Sequence, residues 1–518
     1  MNGYQVRSAG LGRCLRVCAL ACCLGGVGSW VVLGAGCAGQ GTVAPSGDAL
    51  SMARRADLTP GERVEAIRQV KAELASGEMD RVVMRHAMTE MAWALDTPEL
   101  VRAAALESLL WDEAGKAESL KLVQEMLPTE PGRQCVAVMS TAIADHGWTE
   151  ATPALVRSLS RPVEGVEDRE RAEFRALEVL YPNRPVEEVA LGVFLEPRVE
   201  AGPAGLQLDM RTREAGWDLV GRLAADGDAR AALLRNSTAG DDEGRELLAK
   251  LREVQEAFGI VPSRAEEMRW AVRLAEARQG ELAAWWTQTR EAVSGLSGAQ
   301  RDGLALRHLE AVRWAGQAQP GWLAESREGL LELMAERLRG RQLYARTEAI
   351  RGMVNANAER LATVRDGLVW GDVVVLLVID EAIADAGVER ALFAGATADN
   401  KDRNTEHGGT LWTDADGFHV QAFAPRGTAT PDDRRFVAPR EMIDYSGAAL
   451  AHFHYHVSNW RNRDYAGPSP GDLDYAARFG RACVVFSGLG PDLMNADVYF
   501  PNGTVVDLGE VRRPASDR

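Results

Sequence analysis

The sequence predicts a multidomain protein: an all-α helical-repeat N-terminal region followed by an α+β C-terminal domain. Two observations carry this. Thr97-Pro-Glu-Leu-Val-Arg102 recurs as Thr152-Pro-Ala-Leu-Val-Arg157, and apolar residues keep helical spacing to about residue 365. Near residue 366 the composition then changes. Eight of the eleven phenylalanines lie at or beyond Phe393, and Gly, Asp and Pro turns become frequent. A chain of 518 residues has room for roughly two to four domains. The net charge of −16 argues against a phosphate-binding surface, and so against a nucleic-acid partner.

Residues 1–37 read as an export signal outside the fold. Arg7, Arg13 and Arg16 precede an uncharged run from Val17 to Gly36. The run ends Leu33-Gly-Ala-Gly-Cys37, which resembles a bacterial lipoprotein signal, with Gly34 in place of the usual Leu. The resemblance implies acylation at Cys37 and a lipoprotein of the cell envelope or periplasm. Membrane attachment would then be only through an N-terminal lipid or signal anchor. Five of the seven cysteines fall in this segment, leaving Cys135 and Cys483, so no disulfide framework is implied.

Residues 38–49 form a polar linker. From 50 to 205, paired helices broken by Pro or Gly resemble HEAT-type repeats, which stack to bury a common core and often present a concave face to a partner. Thr59, Thr97 and Thr152, each followed by Pro, are expected N-caps. Leu100, Ala104, Leu106, Leu109 and Trp111 are expected on one buried face, and Leu120, Val123 and Leu127 on the next. From 206 to 365 the helices are longer and charge-rich. Trp285, Trp286 and Trp322 are expected in the core, and Glu336 to Arg341 on a solvated face.

The C-terminal domain spans 366–512. The run Val373-Val-Val-Leu-Leu-Val-Ile379 is a strand or a buried helix, and periodicity does not decide between them. Strands are expected at Gly409–Trp412, His419–Ala424, Gly447–His456, Cys483–Ser487, Asp497–Phe500 and Thr504–Leu508. The last two are joined by the hairpin signal Pro501-Asn-Gly503.

Chemistry is concentrated between Glu406 and Asp472. Five of the eight histidines lie in this window, and alternation along a strand puts His452, His454 and His456 on one face. Ser469-Pro-Gly-Asp472 reads as a helix start. Two histidines, a carboxylate and an open position make a catalytic zinc site, with a nearby Glu as base. Each part has an ordinary explanation by itself: a cap, a surface His pair, an acid in a turn. The order of the parts is the signal.

That order resembles the JAMM (JAB/MPN-type) metalloproteases: Glu before a Gly-containing strand, then His-x-His, then Ser-x-x-Asp. The resemblance covers the C-terminal region alone. It implies Glu406 as catalytic glutamate, Ser469 as oxyanion partner, and His454, His456 and Asp472 as zinc ligands. His452/His454 is the alternative ligating pair. Val457 stands where the family has Pro, and the gap from His456 to Asp472 is longer than usual, which implies a loop insertion.

The function expected is an exported zinc-dependent metallopeptidase that hydrolyses a peptide or isopeptide bond. Its helical repeats would bind a polypeptide substrate or a protein partner. The competing expectation is a non-catalytic envelope scaffold with a degenerate JAMM-like domain.

Overall fold

The computed structural model describes residues 48–198, 205–238, 240–344, 359–402, 404–423, 436–458, 460 and 466–514. Cys37, the expected lipidation site, lies outside the described residues. Helices run from Ala49 to Ala384 and on to Lys401, and a six-stranded mixed sheet follows. No helix among the described residues is long and apolar enough to cross a membrane.

In the helical region, Thr59 caps its helix as expected. Its hydroxyl accepts from Glu62 N, and the Glu62 carboxylate accepts from Thr59 N. Thr97 and Thr152 do not cap: Pro98 is the N-cap of Glu99–Trp111, and Thr152 lies inside Thr152–Ser160 after a 3₁₀ turn. Thr152 Oγ1 instead donates to Thr149 O at 2.7 Å. Ala104, Leu106 and Leu109 are buried, but Leu100 and Trp111 are 48 % and 45 % exposed. Lys71 covers the Trp111 ring, with its ammonium 4.6 Å from the centroid. Trp285, Trp286 and Trp322 are buried as expected.

Successive helices are fastened by buried ion pairs. Arg102 forks onto Glu130, both nearly inaccessible, while Arg102 Nε donates to Ala92 O at 2.9 Å. Removing one partner strands a buried charge, which costs about 3–5 kcal/mol. Glu130→Ala is therefore expected to lower unfolding free energy by that amount, read from urea denaturation. A loss under 1 kcal/mol would contradict this. The Glu336–Arg341 face is not wholly solvated either. Arg337 and Arg341 both bind Asp380, which is buried.

The ambiguous apolar run is a helix, Trp370–Ala384, buried on nearly every side. It packs on Leu309–Ala318, Arg327–Leu338 and Ala386–Lys401. A helix surrounded in this way has no polar stripe, so its sequence shows no 3.6-residue period. Near its start, Asp372 pairs with His308 Nε2 at 2.8 Å and Arg307 Nε at 3.0 Å.

The strands are β1 Gly408–Asp414, β2 Gly417–Phe423, β3 Ala451–His456, β4 Cys483–Gly490, β5 Leu493–Tyr499 and β6 Val505–Arg512. Their order is β2-β1-β3-β4-β5-β6, and β3–β4 is the parallel pair. A parallel pair needs a crossover, and the Pro470–Phe479 helix supplies it. Phe453, Tyr455, Val484 and Phe486 join the helical core, whereas Cys483, Val485 and Tyr499 face Ala476, Leu473 and Tyr475 of the crossover helix. Gly447 and Ala448, expected in β3, lie in the 3₁₀ turn Ser446–Ala448. β4, β5 and β6 run longer than expected. Their residues are buried on both faces, so polar alternation does not mark their ends.

The helical region and the sheet belong to one unit, residues 49–518. Trp270 Nε1 donates to Gly447 O at 2.7 Å, and the Arg481 guanidinium stacks 3.3 Å above the Trp270 ring. Arg313 and Glu310, on Leu309–Ala318, both reach the Thr413 hydroxyl on β1.

Candidate metal centre

The row of histidines sits where alternation predicts. Ala451, Phe453 and Tyr455 point into the helical core, and His452, His454 and His456 occupy the opposite face. That face looks toward the crossover helix. Asp472 sits in the first turn of this helix, just past the carboxyl end of β3, where parallel strand–helix units usually place ligands.

Ser469 is the N-cap of this helix. Asp472 N donates to Ser469 Oγ at 3.3 Å, and Ser469 N donates to Asp472 Oδ2 at 2.6 Å. The two residues thus close a capping box. The box fixes Asp472 and leaves the Ser469 hydroxyl proton available to another acceptor.

The donor atoms converge. His454 Nε2 and His456 Nε2 lie 3.2 Å apart. The Asp472 carboxylate is 3.3 Å from the first and 3.5 Å from the second. A tetrahedral ion with bonds of about 2.0–2.1 Å separates its ligand atoms by about 3.3 Å. The three separations are of that size, the contact with His454 being made by Asp472 Oδ1 and that with His456 by Oδ2. Two imidazole nitrogens facing each other this closely need a proton or a cation between them. Glu406, buried at 5 % exposure, joins the cluster: donor atoms of Glu406, His454 and His456 all lie within 4.8 Å of one another. This group could hold a metal ion. The Asp472 carboxylate is in close contact with both rings.

The turn bearing Glu406 is held from both sides. Asp399 Oδ1 accepts from His407 N at 2.5 Å, and Asp402 accepts from the Thr405 hydroxyl at 2.7 Å and from Asn404 N at 2.9 Å. The Thr405 hydrogen bond leads in holding Asp402 at about 2. Gly408 and Gly409 then allow the strand close to its neighbours. A Cβ at Gly408 would lie 2.5 Å from Phe453 O and 2.6 Å from the Phe436 ring.

Around the donors, Phe436 stacks on the His454 ring at 5.7 Å, and Tyr499 Oη is 3.5 Å from His454 Nδ1. A partner on the second ring nitrogen fixes the orientation of a ligating histidine. The sequence reading missed Phe436, Tyr475 and Tyr499. Tyr475 is three residues after Asp472 on a helix, a spacing that puts them on one face. No local signal marks Phe436 or Tyr499, which arrive from other parts of the chain.

His452 is placed differently. It is 2 % exposed, and its Nδ1 lies 2.9 Å from Tyr475 Oη. Burial, and then the nearby Arg481 cation, push its pKa well below the ordinary value. The structure thus brings His454, His456 and Asp472 together, and ties His452 to a tyrosine. The longer connection after His456 includes positions 459 and 461–465, outside the described residues. Asn400 Nδ2 donates to Val457 O at 2.5 Å and secures the end of β3.

Electrostatics follow from these contacts. Burial opposes charge on Asp472, but His454, and then His456, outweigh it and hold the carboxylate well below its usual range. Burial likewise opposes charge on His454, yet Asp472 prevails and raises its pKa. In the metal-free protein, the depressed Asp472 stabilises above its ordinary 3.8 and loses that effect as pH falls. The raised His454 stabilises below its ordinary 6.5 and loses that effect as pH rises through the folded value. The pair's contribution is therefore complete between these two values. Metal-free protein is expected to lose thermal stability on both sides of that window, and added zinc should restore it on the alkaline side. A melting profile in which zinc makes no difference above pH 7 would contradict this.

Comparison with known proteins adds no relative: no protein-family model, no curated protein and no solved structure matches the chain.

Proposed function

We propose that the chain is a zinc-dependent hydrolase of peptide or isopeptide bonds, with a catalytic centre of the JAMM type. The observation that carries this is the donor triangle of His454, His456 and Asp472, with Glu406 beside it and Ser469 at the start of the same helix as Asp472. Two nitrogens and one carboxylate oxygen suit zinc, and three protein ligands leave the fourth position for chemistry.

When bound, zinc supplies Lewis acidity and an activated water near neutral pH. The chain's own residues do the rest. His454, His456 and Asp472 hold the ion. Glu406 takes the proton of the attacking water and passes it to the leaving amine. The Ser469 hydroxyl donates to the oxyanion that develops on the substrate carbonyl.

The HEAT-like helical region is the proposed binding surface for a polypeptide substrate or partner. A groove of about 820 Å³ between Arg133–His146 and Ala172–Leu180 supports this, with Val136, Ala137 and Ala176 on its walls and Arg133 and Arg175 beside them. The same groove favours the alternative of a non-catalytic envelope scaffold. Export and acylation at Cys37 stay part of the proposal, on the N-terminal sequence alone.

The test is a chelator experiment. Purified protein should hydrolyse members of a peptide mixture, lose this on treatment with a chelator, and regain it with stoichiometric zinc. Folded protein that takes up no zinc would exclude the reading.

A further inference from the structure

A cavity of about 420 Å³ opens directly from the donor triangle, sharing His454, Ser469 and Asp472 as walls. Its other walls are largely aromatic. Tyr475 and Phe479 come from the crossover helix, Phe436 from the segment that stacks on His454, and Tyr499 from β5. The Tyr475 and Phe479 rings are 4.6 Å apart and tilted, so they present both an edge and a face. His452 and Cys483 complete the wall on β3 and β4. Arg478 and Asp474 also line it and are exposed to solvent.

We infer that this cavity is the specificity pocket of the centre and takes an aromatic side chain next to the scissile amide. The inference rests on the proposed metal centre and adds a substrate class to it. Continuity is the first argument. An amide whose carbonyl meets Ser469 beside His454 and Asp472 has its neighbouring side chain at the mouth of this cavity. Size is the second. The volume lies toward the lower end of the ~300–1,000 Å³ range of ligand pockets, which suits one large side chain. The walls are the third, because four rings offer edge-to-face and offset contacts that a glycine or a small aliphatic group cannot use.

The test uses full-length protein, stripped with chelator and reloaded with zinc. Calorimetric titration compares acetohydroxamate, N-acetylglycine hydroxamate and N-acetylphenylalanine hydroxamate, which share one chelating group and differ in side chain. Burying the benzyl group should tighten binding about 10- to 100-fold over the glycine compound. Phe479→Ala should cut that advantage by about 2- to 10-fold. Equal binding of the glycine and phenylalanine compounds to zinc-loaded wild type overturns the pocket and leaves the metal centre standing. An unchanged advantage in Phe479→Ala also overturns it. Failure to load zinc, or to bind acetohydroxamate, overturns the centre and the pocket together.

Discussion

Glu406→Gln is expected to lower peptide hydrolysis by about 10²- to 10⁴-fold, the usual contribution of a positioned acid–base group, without loss of zinc. The substitution keeps the shape of the side chain and removes its ability to take a proton. Glu406 is buried on a turn fixed by Asp399 and Asp402, so a near-isosteric change leaves the turn's hydrogen bonds intact. The measurement pairs turnover with metal content and a melting curve on the same sample. Retained turnover at unchanged zinc content would remove Glu406 as the base. Lost zinc would instead make Glu406 a ligand, which its place within 4.8 Å of both imidazoles keeps geometrically open.

Asp472→Ala is expected to cost more than about 100-fold in zinc affinity. Losing an outer-shell partner of a metal site already costs about 10–100-fold, and Asp472 is in contact with both ligating rings. The same change opens half of the capping box, because Ser469 N loses its acceptor. That adds about 1 kcal/mol of destabilisation independent of metal, on top of the lost pairing with His454. Competition with a chromogenic chelator gives the affinity, and unfolding in excess chelator gives the structural part. A variant that binds zinc as wild type does would reassign the third ligand. His452→Ala is the companion measurement. Its Nδ1 contact with Tyr475 predicts retained zinc there, whereas the alternative pair His452/His454 predicts loss.

The local parts of the centre were legible in the sequence because each follows a short-range rule. Alternation put three histidines on one face of β3. Ser469-Pro-Gly-Asp472 wrote its own N-cap and capping box. The Thr-Pro signal was less dependable. Thr59 caps, but Thr97 and Thr152 yield to a preceding turn, since the neighbouring fold sets where a helix's first residue falls.

The sequence by itself thus determined a helical region followed by an α+β region, the face shared by the histidines, and the helix start carrying Ser469 and Asp472. Only the tertiary structure decided the rest. It made Trp370–Ala384 a helix, because burial on every side erases the periodicity that would reveal it. It set His454 and His456, rather than His452, against the Asp472 carboxylate, because the crossover helix brings that carboxylate over the end of β3 and lays Tyr475 against His452. It also assembled the aromatic cavity from segments far apart in the chain. Spacing rules act over a few residues, whereas a binding site is closed by contacts between strands and helices whose order in space the local sequence does not encode.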